Sequence, residues 1–281
     1  LHSISSKKIT LTEILHFISS STKMSSHQTV KTQYVVRPNG EKYGYRRLGT
    51  GFGTPLLFLI HFRGVMDKWD PLLINNIAAH RQVILFDYAG VGKSTGEVAS
   101  TVRQSADNVL EFLALLGEKE VDILGFSIGG YIAQVVALNA DPIVTKIRKL
   151  ILTGTAASAG PDTVTTPYED VGQWGGRPNI ILEIFQVLFF PKTREGKLAS
   201  ESWWQRIHER NVSTSGEEPS EWLSEGYADG GNGVKAQGQL IQAFKVVQTS
   251  QGVEGSYDRL AQLDISVLVA NGHVSFPLWS N

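Results

Sequence analysis

From about residue 32 onward, short apolar runs alternate with stretches in which apolar residues recur every three or four positions. The runs at 56–61, 83–86, 121–126 and 149–153 are nearly continuous in apolar side chains, as strands buried on both faces require. Apolar residues at 102, 106, 109, 110, 113 and 116 make one stripe on a helix predicted over 101–116. Further helices are predicted over 71–79 and 127–140, the second stopped by Asp141-Pro142. Near the start, runs at 33–37 and 42–48 flank Pro38-Asn39-Gly40 and read as a β-hairpin. Strand, helix and strand in repetition predict the α/β class: a mostly parallel sheet flanked by helices, with the hairpin adding an antiparallel edge.

The alternation stops between 159 and 232. Loops rich in glycine and proline surround aromatic helical pieces there, containing Trp174, Trp203, Trp204 and Trp222. This segment reads as a helical cap inserted into the sheet domain, whose pattern returns with a helix over 234–248 and a strand over 267–270. The predicted division is therefore a flexible or artefactual extension (1–32), the first part of the core (33–158), the cap (159–232) and the second, incomplete part of the core (233–281). Residues 1–23 are rich in serine and threonine and faintly resemble a transit peptide, but they contain no arginine.

Composition removes several classes of function. Lysine plus arginine (26) balances aspartate plus glutamate (27), so no global field draws the chain to nucleic acid or an acidic membrane. The absence of cysteine excludes disulfide frameworks, thiolate metal sites and thiol nucleophiles. The longest apolar stretches fall short of the roughly 20 residues a membrane helix needs. A soluble, cytoplasmic protein without nucleic-acid or membrane partners is expected.

The chemistry concentrates at Gly125-Phe126-Ser127-Ile128-Gly129, a G-x-S-x-G match between an apolar strand and an amphipathic helix. A serine in such a sharp strand-to-helix turn presents its hydroxyl outward, and flanking glycines leave room for neighbouring backbone. The helix also points its free amides at the turn, so the Ile128 N–H can stabilise a developing oxyanion. The plain alternative is a solvated serine in a small-residue turn. A competing motif is Gly92-Lys93-Ser94, which mimics the end of a phosphate-binding loop. That loop needs glycine at position 87, where this chain has Asp87, and a carboxylate there would repel phosphate.

Two further motifs join the G-x-S-x-G turn: His61-Phe62-Arg63-Gly64 after the third strand, and Phe86-Asp87-Tyr88-Ala89-Gly90-Val91-Gly92-Lys93-Ser94 after the fourth. On these residues the stretch from about 33 to 272 resembles the α/β-hydrolase superfamily, in the branch of capped esterases, haloperoxidase-like and prolyl iminopeptidase-like enzymes. The resemblance implies a serine hydrolase with Ser127 as nucleophile and amides of Ile128 and Arg63 as the oxyanion hole. Phe62 stands where that family's His-Gly-x motif has glycine, which leaves Phe62 as the alternative second donor. His61 is expected to anchor its loop and the 86–94 loop to be structural. Phe62, Phe126, Trp203 and Trp204 are the expected substrate contacts, and the substrate an apolar ester or related small carbonyl compound. No metal or organic cofactor is implied.

A serine nucleophile needs a histidine base oriented by a carboxylate, and in this family the acid and then the histidine follow the serine in the chain. No carboxylate occurs after Asp264, which precedes the last predicted strand and belongs at the opposite edge of the sheet. His273 is the one histidine near an expected catalytic loop, and Asp162 a distant alternative acid. The resemblance thus implies that the last strand and helix, and the catalytic histidine, are missing, so that activity is impaired and the sheet edge aggregation-prone. The alternative function is a non-catalytic ligand-binding protein of the same fold.

Overall fold

The structure, a computed structural model, describes residues 25–161, 163 and 169–272. Its sheet strands are β1 (Gln33–Val36), β2 (Lys42–Leu48), β3 (Leu56–Leu59), β4 (Val83–Phe86), β5 (Glu120–Phe126), β6 (Lys146–Thr153) and β7 (Ser266–Ala270). They form one seven-stranded sheet in the order β1-β2-β4-β3-β5-β6-β7. β1 and β2 pair antiparallel, β2 meets β4 antiparallel, and every pairing from β4 through β7 is parallel. The fold is the α/β class read from the sequence. Every residue of β3 and β4 is buried, because helices cover both faces of the central strands.

The helices of the core are α1 (Pro71–Ala78), α2 (Val102–Leu116) and α3 (Ile128–Asn139). Local chemistry fixes the ends of α2: the Thr101 side chain accepts from Gln104 N–H at 3.0 Å, and Gly117 closes the helix at φ 80°. Val102, Ala106, Val109 and Leu113 of the predicted stripe are buried, Leu110 and Leu116 are partly buried, and Phe112, outside that stripe, is buried with them.

The inserted segment contains α4 (Glu169–Gly175), α5 (Leu182–Phe189), α6 (Arg194–Arg206) and α7 (Val212–Ser215). These helices build a small core of their own from Ile180, Ile184, Phe185, Leu188, Ile207 and Trp222. The chain then re-enters the sheet domain through α8 (Asn232–Phe244), shorter than the predicted 234–248 because 3-10 turns take over at Val247–Thr249.

One boundary needs correction. Residues 25–32, assigned from sequence to the flexible extension, are part of the folded body: His27 and Val30 are buried. The His27 ring bonds to Met66 O at 3.0 Å, and the Arg210 guanidinium donates to His27 O and Gln28 O. Lys31 and Thr32 bond to Ser215 O and the Glu217 carboxylate. A run of polar residues carries no periodic signal, so these long-range bonds leave no trace in a hydrophobic pattern. Residues 1–24 lie outside the described residues.

At the far side of the sheet β7 pairs with β6, and Val267, Leu268 and Val269 remain 41%, 59% and 59% exposed. The expected absence of a further strand and helix concerns residues 273–281, which lie outside the described residues.

Candidate active site

Ser127 joins β5 to α3 with φ 57° and ψ −121°, a conformation that L residues rarely adopt. The neighbouring glycines are required by contact. A Cβ on Gly129 would stand 2.0 Å from Leu59 O, and one on Gly125 would stand 2.4 Å from Gly129 O. The first turn of α3 is therefore pressed onto the end of β3, which brings the elbow beside the loop that follows β3. Ser127 itself is held by its backbone: its N–H donates to Thr153 O at 3.0 Å, and Thr155 Oγ1 donates to Ser127 O at 2.7 Å. Its half-buried hydroxyl makes no capping bond and has no hydrogen-bond partner among the described residues.

Two amides bear on the question of an oxyanion hole. Ile128 is the first residue of α3, so its N–H has no intrahelical acceptor. The Arg63 N–H, expected as the second donor, is committed to Gln237 Oε1 at 2.7 Å in a buried bond. That corrects the Arg63 assignment: the adjacent Phe62 N–H has no partner among the described residues and is the one left open. The distinction depends on Gln237, distant in sequence, and could not have been read from the motif.

Arg63 has another role that the sequence did not reveal. At φ 61°, with its side chain buried, it sends its guanidinium into the cap and donates to the carbonyls of Gly175, Arg177, Pro178, Leu223 and Ser224 at 2.5–3.2 Å. Arginine is normally read as a surface residue, so a buried one in a loop gives no warning.

Aromatic rings cover this part of the molecule. His61 lies edge-on to Phe126 at 5.4 Å and faces Phe185 at 6.1 Å and Trp222 at 5.8 Å. Its Nδ1 bonds to Phe62 O at 2.9 Å, and burial pushes its pKa down to about 4. A neutral, buried ring bonded to its own loop is an anchor, as expected. Phe126 meets Phe189 of the cap at 6.1 Å, while the Phe62 ring lies against Gly175. Trp203 and Trp204 pack on Phe185 at 4.6 and 5.8 Å, one ring removed from His61, within the cap cluster.

The 86–94 loop is wound around Asp87. Met66 N–H and Lys93 N–H donate to its two carboxylate oxygens at 2.6 and 2.8 Å, and Ser94 Oγ donates to Asp87 O. Burial raises the Asp87 pKa to about 7. The Lys93 amide is thus bonded to this carboxylate, and Lys93 Nζ donates to Glu218 O. This is a structural loop.

The ends of β5, β6 and β7 are level: Phe126 pairs with Thr153, Thr153 with Ala270, and Gly154 N–H donates to Ala270 O. The chain therefore leaves β7 at the same edge of the sheet as Ser127, two strand spacings or about 10 Å away. Asp264 precedes β7, at the opposite edge. His273 and Asp162 lie outside the described residues.

Residues 54–180 match the α/β hydrolase fold family. A solved α/β hydrolase fold protein from Chitinophaga pinensis is 28% identical, with a TM-score of 0.67 over 88% of this chain and 91% of that one. The esterase RhEst1 from Rhodococcus shares the fold at 22% identity, with a TM-score of 0.58 over 86% of this chain and 80% of that one. Among curated proteins, RutD of Azorhizobium caulinodans, named as a carbamate hydrolase, is 32% identical over 39% of this chain and 41% of its own length. The proline iminopeptidase PfmaB of Pestalotiopsis fici is 32% identical over 44% of each chain. The matches to these curated relatives thus span about two-fifths of their length. By its sheet order, its elbow and these likenesses the chain has the α/β-hydrolase fold, and its residues 54–180 fit that family. No described helix is long and apolar enough to cross a membrane.

Proposed function

We propose that this protein is a serine hydrolase acting on an ester or related small carbonyl compound with an apolar group. The observation that carries the reading is the Ser127 backbone at φ 57°, whose hydroxyl has no partner among the described residues and lies next to the N–H of Ile128, the first residue of α3. Ser127 Oγ attacks the carbonyl carbon and its proton passes to a base. The amides of Ile128 and Phe62 hold the oxyanion, and the base returns the proton to the departing alcohol or amine. Water, losing its proton to the same base, then attacks the acyl-enzyme to release the acid and restore the serine. Phe62 and Phe126 flank the reacting carbon; Trp203 and Trp204 shape the apolar side through Phe185. Named hydrolases among the relatives support this class, and the carbamate and proline-peptide chemistry in their names keeps amide-like substrates within it.

The base in this reading is His273, which follows the β7 end level with Ser127. That histidine lies outside the described residues; a second reading is a non-catalytic ligand-binding relative of the same fold. Fluorophosphonate labelling and p-nitrophenyl butyrate hydrolysis separate the two, with Ser127→Ala as control. A mass adduct on Ser127 and ester turnover lost in the variant support the hydrolase. Equal, background-level behaviour of the two proteins favours the binding protein.

A further inference from the structure

Arg63 combines two costly features in one residue. Its backbone adopts φ 61°, unusual for a residue with a Cβ, and its guanidinium is 1% exposed. The nearest carboxylate, Glu225, is 3.8 Å away and lies at the cap surface, so neutralisation comes mainly from carbonyl oxygens. Those carbonyls belong to two separate cap segments, 175–178 and 223–224. The Arg63 backbone is gripped as well: its carbonyl accepts from Leu223 N–H at 3.0 Å and its N–H donates to Gln237, itself 3% exposed, at 2.7 Å. Every polar group of Arg63 is thus tied to the cap or to α8, while the preceding peptide carries the Phe62 amide, which has no partner among the described residues.

We infer that Arg63 is a positioning residue that fixes the Phe62 amide toward Ser127 by clamping its loop to the seated cap. This inference rests on the reading of Ser127 as the nucleophile. An amide placed by a clamp of this kind gains most when charge develops on the substrate oxygen, so losing the clamp affects the transition state more than substrate binding. A simple packing role would instead lower the folded fraction and leave the chemistry of the remaining molecules unchanged.

The test compares wild type, Arg63→Lys, Arg63→Ala and Gln237→Leu. It measures kcat and KM for p-nitrophenyl butyrate after subtraction of the Ser127→Ala background, with the folded fraction from circular dichroism. The expected result is a fall in kcat of about 100-fold for the Arg63 variants with KM little changed, the size of effect seen when one oxyanion donor is lost. Millimolar guanidinium chloride should restore part of the Arg63→Ala rate. Hydrogen exchange reads the clamp without activity: loop 61–64 and cap segments 174–178 and 222–226 should lose protection together in Arg63→Lys. An unchanged kcat per folded molecule, or exchange confined to the cap while loop 61–64 stays protected, overturns the inference. Wild-type turnover no greater than that of Ser127→Ala overturns the nucleophile reading instead, and exchange then still decides the clamp. Should Arg63→Ala fail to fold, Arg63→Lys and Gln237→Leu carry the comparison.

Discussion

Arg46 and Asp67 form an ion pair at 2.6 Å in which both side chains are essentially without solvent exposure. Asp67 also accepts from Ser220 N–H and faces Arg210 at 3.0 Å, which links β2 to the loop after β3 and to the end of the cap. Removing one partner leaves the other charge buried. Arg46→Met should therefore lower stability by about 3–5 kcal/mol, read as a shift of the urea midpoint. Arg46→Met combined with Asp67→Leu should recover part of the loss, since Arg210 keeps its pairing with Glu217 at 2.8 Å.

The buried titratable groups set the pH of greatest stability. His27 and His61 are pushed down to about 4 by burial, so the unfolded chain binds their protons near 6.5 while the folded protein refuses them. Their contribution is present above 6.5 and is lost as pH falls from 6.5 to 4. Asp87 has the opposite sign. Burial raises it to about 7, so the folded form keeps a proton that the unfolded chain releases near 3.8, and its contribution is lost as pH rises to 7. Two groups oppose one between pH 4 and 6.5, which gives a net loss in acid and a maximum near 6.5. In urea titrations across pH 4–8, His27→Gln should flatten the acid slope; an unchanged slope contradicts the assignment.

Strain at Ser127 should be measurable as a difference between two variants that both lack its hydroxyl. Ser127→Ala and Ser127→Gly both remove the hydroxyl, but only glycine relieves φ 57°. The relief, partly offset by the greater freedom of glycine in the unfolded chain, should leave Ser127→Gly about 1 kcal/mol more stable than Ser127→Ala. Thermal denaturation of the pair decides it.

Gly129→Ala should be severe. The added methyl would meet Leu59 O at 2.0 Å, and both neighbours are backbone within packed elements. Loss of cooperative melting, or a melting temperature lowered by many degrees, is the expected outcome. A variant with wild-type stability would mean that α3 does not press on β3 as described.

The exposed apolar face of β7 should drive self-association. Leu268→Lys places a charge on a residue that is 59% exposed in β7, the outermost strand among the described residues, which discourages edge-to-edge pairing. Light scattering should show less association for the variant than for wild type at equal concentration.

Most strands and core helices were legible because each carries its own local signal. The runs at 56–61 and 83–86 announced buried strands, and the stripe through Val102, Ala106 and Val109 announced α2. The G-x-S-x-G turn could be placed for the same reason: strand, tight turn and helix are contiguous. What could not be read depends on residues far apart in the chain. Gln237 decides which amide of the 61–64 loop remains free, and His27, Lys31 and Thr32 are ordered by partners some 40 to 185 residues away. The buried side chain of Arg63 belongs with these, since nothing local marks an arginine as internal.

The strap formed by residues 25–32 crosses to the cap on one flank, and Arg63 ties the cap down on another. A lid anchored at two separated points has no hinge to swing on without releasing both. A polypeptide beginning at Gln33 would keep the Arg63 contacts but lose the bonds of residues 25–32 to Glu209, Ser215 and Glu217, so the inserted helices would be held on one flank alone.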